Sequence, residues 1–156
     1  MSRRRGELPE LPFRHLGDPL YSQRNPHQLF LLVLSVVAAI GLVQGATGSA
    51  ILDDALTDHA VTIWGVCLLT GSITALIGMW WPRTWSGLVV ERAGLAVVAV
   101  AAALYSVLVY IAAPDVAYTA FVHVAYAGSC LWRVKQITAR LVWVRAQVER
   151  LNDGAS

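Results

Sequence analysis

Four runs of apolar residues, at 29–45, 60–81, 88–112 and 116–132, fill most of this 156-residue chain and leave few ways for it to fold. A bilayer core about 30 Å thick asks for roughly 20 apolar residues in helical form. Backbone groups inside lipid must find their partners within the same segment. Each run therefore predicts a membrane-spanning helix, the last being the shortest. Composition agrees, with 56% of residues hydrophobic and 14% charged, against roughly 25% charged in soluble domains. A chain of this length allows one domain.

The charges are sorted by side. Arg3, Arg4, Arg5, Arg14 and Arg24 precede the first run, Arg83 lies between the second and third with Arg92 at the start of the third, and Arg133, Lys135, Arg140, Arg145 and Arg150 follow the fourth. These are all twelve basic residues, and a four-span arrangement puts every one of them on the same side. The other side carries Asp53, Asp54, Asp58 and Asp115. Positive charge stays on the cytoplasmic side, so both termini and the middle loop are expected in the cytoplasm of a bacterium, with the spans in its inner membrane. A different number of spans would scramble this pattern.

Local signals mark the ends of the runs. Asn25 is placed as an N-cap, Pro26 sits where a missing N–H costs nothing, and Gln28 can cap back. Trp80-Trp81-Pro82 closes the second run, with tryptophans suited to the headgroup level. Only Ala113, Pro114 and Asp115 separate the third run from the fourth, which predicts a tight helical hairpin. Cleavage of the first run as a signal peptide at Ala46 or Ala50 is a competing reading, but the charged stretch before it is long for such a signal.

The expected fold is all-α: a four-transmembrane-helix bundle with both termini inside and a C-terminal amphipathic helix continuing the fourth span. The expected organisation is a flexible, basic, proline-containing segment at 1–27, the transmembrane domain at 28–132, a basic cytoplasmic helix at 133–152 and a disordered end at 153–156.

Small residues mark candidate helix-packing faces. Gly41 and Gly45 form a GxxxG step on the first span, and Gly71, Ala75 and Gly78 share a side of the second; such steps let backbones approach closely in lipid. Packing inside the bundle explains them, and self-association through the Gly41–Gly45 face is the sharper reading. His123 lies about 12 Å from the outer end of the fourth span and Tyr105 about 10 Å from that of the third. The tight hairpin makes these spans neighbours, so Tyr105 and His123 are expected to form an intramembrane polar pair. Cys67 and Cys130 differ in depth by more than the roughly 7 Å a disulfide tolerates and are expected to stay unpaired.

After the fourth span, Val134, Ile137, Leu141, Val144, Val148 and Leu151 are spaced three, four, three, four and three, nearly three heptads of a coiled-coil seam. The basic residues of the tail occupy other positions. This helix is expected to continue the fourth span and to contribute to self-association, with the inner leaflet and a partner protein as other uses.

No serine–histidine–carboxylate set, metal-ligand spacing or carboxylate dyad is present, so no catalytic, cofactor-binding or metal residues are assigned and no cofactor is expected. The partners implied are the lipid bilayer, further copies of the chain, and a soluble protein held by the C-terminal helix, with no nucleic acid.

Trp80-Trp81-Pro82-Arg83, followed by Leu88-Val89-Val90-Glu91-Arg92-Ala93-Gly94 and an alanine-rich span, resembles small four-span membrane proteins of actinobacterial tailed phages and prophages, over about 29–140. The resemblance implies a membrane protein and no particular reaction. The expected role is a non-enzymatic integral membrane protein that self-associates or anchors a partner at the inner membrane. The alternative is a holin-like membrane-permeabilising protein.

Overall fold

The computed structural model describes residues 26–44, 58–81, 85–112 and 117–153. Among these it contains four helices: α1 (Pro26–Val43), α2 (Asp58–Trp80), α3 (Trp85–Ala112) and α4 (Ala117–Asp153). Pro26 is the first helical residue of α1, the position its fixed φ and missing donor suit best. The segment assigned above as flexible therefore already turns helical at its last two residues, and α4 reaches Asp153. Asn25, Gly45 and the rest of the N-terminal segment lie outside the described residues.

Each helix packs on the next in sequence, α1 on α2, α2 on α3 and α3 on α4. A hydrogen bond between the Ser35 hydroxyl and the Tyr126 phenol, at 2.9 Å, ties α1 to α4 and closes the bundle. Leu32, Leu68, Leu95 and Val98 lie at the centre of the main core. Val61, Tyr105, Val109 and Ala120 form a smaller cluster toward the α3–α4 turn.

The closest helix approach is between α2 and α3. A side chain at Gly78 would strike the backbone of Glu91, and one at Gly94 would strike that of Ala75 and meet the Gly71 carbonyl oxygen at 2.7 Å. Gly71 lies against Val97 and Val98, and Ala75 is fully buried. Small residues on both sides let the two backbones meet where there is no hydrophobic drive to press helices together.

Gly41 departs from the expectation of packing inside the bundle: a Cβ there would meet nothing within 4 Å. The inward face of α1 is Gln28, Leu32, Ser35 and Ala39, and Gly41 lies about 200° round the helix from Ala39. Its partner in the GxxxG step, Gly45, lies outside the described residues.

The tail also departs from expectation. α4 is one unbroken helix of 37 residues, but its seam is not free for another chain. Ile137, Leu141 and Val144 are buried in the main core with Leu88, and Val134, Val148, Trp85 and Val89 pack against it. Part of the cause is the length of α3, whose 28 residues span about 42 Å. Its first turns extend past the end of α2 and provide the part of the seam nearest Arg133 with a partner. The side chain of Leu151 lies outside the described residues.

Among the described residues, three helices are long and apolar enough to cross a membrane: Pro26–Val43, Val61–Trp80 and Trp85–Ile111. In the first half of α4, Thr119, His123, Tyr126 and Ser129 lower the average hydropathy. Its outward face is nonetheless largely apolar, with Phe121, Val122, Val124 and Leu131 exposed between an exposed Tyr118 and an exposed Trp132, and Ser129 the small polar side chain among them. Trp80 and Trp81, also exposed, lie at the same end of the bundle as Trp132.

Candidate functional site

The polar side chains of the bundle interior are gathered in three tiers, and α4 contributes to each. Arg133, Cys130, Tyr126 and His123 continue the tail seam upward from Ile137 at spacings of four, three, four and three. The stripe that is aliphatic below Arg133 becomes polar above it.

The outer tier is aromatic. The rings of Tyr105 and His123 meet with centroids 4.4 Å apart, and Tyr105 stacks on Trp64 at 5.0 Å. Trp64 donates its indole N–H to the Ala101 carbonyl at 3.1 Å. His123 Nδ1 lies 2.8 Å from the Thr119 carbonyl oxygen. A carbonyl can only accept, so Nδ1 carries the proton. The imidazole is held by its own helix and by a ring face, with no acid beside it among the described residues.

In the middle tier, the Ser35 hydroxyl donates to the Leu31 carbonyl at 2.9 Å. Its single proton is thereby committed, so in the bond to Tyr126 the phenol is the donor. The Cys130 thiol lies beside the same phenol. Ser72 belongs to this tier as well. A Cβ at Gly65 would meet Leu42 Cβ at 3.1 Å. Ser72 lies seven residues after Gly65 and Ser35 seven before Leu42. On antiparallel helices both steps are two turns, about 10.5 Å in the same direction, which brings the two serines to one level.

The inner tier is charged. Arg133 Nε donates to Glu91 Oε1 at 3.0 Å, and Arg133 also reaches Gln136 Oε1 at 3.5 Å. Glu91 is 4% exposed, so this is a buried carboxylate, at the end of the bundle marked by the exposed Trp80, Trp81 and Trp132. Gly78 makes room for it by bringing the α2 backbone against that of Glu91. Gln28 stands seven residues before Ser35, and Arg133 seven after Tyr126. The Ser35–Tyr126 bond therefore fixes Gln28 and Arg133 at a common level. Gln28 is 3% exposed and its Nε2 has no protein acceptor. Lys135 rests over the exposed Trp132 ring, 5.5 Å from its centroid.

Of the packing residues expected from sequence, Gly71, Ala75 and Gly78 meet α3, whereas a Cβ at Gly41 meets nothing within 4 Å among the described residues. Cys67 and Cys130 are both free. Sequence reasoning missed the Ser35–Tyr126 bond and the Glu91–Arg133 pair, counting Arg133 only toward topology. The polar continuation of the α4 seam above Ile137 was the available signal. Among the described residues, no group of three metal-ligating side chains could hold an ion.

Comparison with known proteins adds no kinship: no family model, no curated protein and no solved structure matches this chain. The findings support a multi-pass helical membrane protein with three candidate spans.

Proposed function

We propose that this chain is a non-enzymatic four-span protein of a bacterial inner membrane, with both termini in the cytoplasm, that anchors a partner through the end of α4. The carrying observation is how the polarity of α4 is arranged. His123, Tyr126 and Arg133 make their contacts inward, to Tyr105, Ser35 and Glu91. Phe121, Val122, Val124 and Leu131 face outward. A helix with polar residues on its bundle side and apolar residues on its open side suits lipid, even where its average hydropathy is low. The sorting of all twelve basic residues to one side supports the same fourth span.

With the seam of α4 occupied, the surface left for a partner is the opposite one, where Val142 and Trp143 are exposed near Arg145. Val142 lies 25 residues from the start of α4, about 37 Å along the axis, beyond a bilayer core about 30 Å thick. A holin-like assembly is the second reading, favoured by the open Gly41 face of α1.

Fusions after Asp115 and at Ser156 test the topology. Alkaline phosphatase should be active at the first site and inactive at the second, and activity at Ser156 would remove the fourth span. Induced expression with a potential-sensitive dye separates the two roles. An anchor leaves the membrane potential intact, whereas abrupt collapse would favour the holin-like reading.

A further inference from the structure

Of the three buried serines among the described residues, Ser35 and Ser106 are satisfied by their own helix and Ser72 is not. Ser35, Thr70, Ser106 and Thr138 each donate to the carbonyl four residues back, at 2.8–2.9 Å. This back-bond is the usual way to satisfy a hydroxyl inside an apolar helix environment. Ser72 does not make it. Its Oγ is buried with no protein partner, in a residue that is 0% exposed. Leaving a buried hydroxyl unpaired costs about 1–3 kcal/mol, and its own Leu68 carbonyl was available to avoid that cost.

The same tier offers the complementary atom. Tyr126 uses its proton on Ser35, so the phenol oxygen still has lone pairs to accept. The Cys130 thiol lies beside it. Buried water settles where two to four polar groups converge on a site otherwise closed to solvent.

We propose that the middle tier is an internal water-binding site, at which a bound water accepts from Ser72 and donates to the Tyr126 phenol oxygen. The water thereby links α2 to the Ser35–Tyr126 bond that joins α1 and α4. Leu32 and Ala75, both fully buried, lie three residues from Ser35 and Ser72 toward the Glu91–Arg133 tier and separate the site from it. Four helices joined only by apolar contact could slide past one another. A water bonded to Ser72 and Tyr126 ties α2 into the α1–α4 contact and fixes the relative height of the three helices.

The test uses the full chain in detergent and a short X-ray pulse that turns water into hydroxyl radicals where it lies. Cys130 is fully buried and carries the side-chain type most open to such oxidation. In the unaltered protein Cys130 should be oxidised within the pulse, and Ser72→Ala should lower that oxidation several-fold. An unlabelled Cys130, or labelling unchanged in Ser72→Ala, overturns the proposal. Melting temperature gives a second reading. Ser72→Ala should lower it if a water is held there, whereas removing a dry, unpaired hydroxyl would raise it and overturn the proposal.

Discussion

Glu91 on α3 and Arg133 on α4 meet through a 3.0 Å bond, with the carboxylate almost entirely buried and the guanidinium 22% exposed. The pair forms a charged lock between the two longest helices, just where the exposed Trp80, Trp81 and Trp132 mark one end of the bundle. Removing one member of a buried pair leaves the other charged and uncompensated, which costs about 3–5 kcal/mol, whereas replacing both with apolar residues is often neutral. Glu91→Ala should therefore destabilise the bundle toward the lower end of that range, since Arg133 keeps some contact with water. Glu91→Leu combined with Arg133→Met should recover most of the loss. Thermal unfolding in detergent measures both, and a double variant as unstable as the single would refute the lock.

At the α2–α3 crossing, added methyl groups have nowhere to go. Gly78→Ala and Gly94→Ala each place a Cβ against backbone, and overpacking of this kind costs about 1–3 kcal/mol. Gly128→Ala, where a Cβ meets nothing within 4 Å, should leave the melting temperature unchanged. Equal effects at all three positions would mean that α2 and α3 do not cross here.

Tyr126→Phe removes the phenol and with it the bond to Ser35. Hydrogen bonds between membrane helices average about 0.6 kcal/mol and reach about 1.7, so a small loss of stability is expected. A cross-link between cysteines placed on α1 and α4 should also form less selectively. Full selectivity in the variant would assign the height of α1 to apolar packing alone.

Leu141→Ala distinguishes an occupied seam from an open one. Buried with Leu88, Ile137 and Val144 in the main core, Leu141 should cost about 2–5 kcal/mol when truncated, and its loss should be felt in dilute detergent where no second copy is bound. If the variant melted like the unaltered chain but lost self-association, the seam would belong to another molecule.

Hydropathy made α1, α2 and α3 readable as spans, because their apolar character runs all the way round. It ranks α4 below them, because polar residues at His123, Tyr126 and Arg133 count against the helix although they turn inward. Charge sorting is blind to that averaging and gives four spans on its own terms. Depth counted from the short α3–α4 link gave Tyr105 and His123 similar heights, but depth is a single coordinate. The Trp64 stack, the Ser35–Tyr126 bond and the Glu91–Arg133 pair depend also on which side of each helix faces inward. That direction is set by close backbone contacts such as Gly78 on Glu91 and Gly94 on Ala75. Sequence spacing alone could not decide whether the Gly41 or the Gly71 face would be used, since both carry small residues.

The outward face of α4 has a consequence for the surrounding lipid. Its exposed aromatic ends, Tyr118 and Trp132, are fourteen residues apart, about 21 Å along the axis. From Glu91, level with Arg133, to Ile111 α3 runs 20 residues, about 30 Å. If α4 crosses the membrane as proposed, lipid that fits α3 is thicker than the α4 flank, at a cost of fractions of a kcal/mol per ångström of mismatch. The proposed fourth span thus makes the α4 flank the place where the bilayer is most deformed.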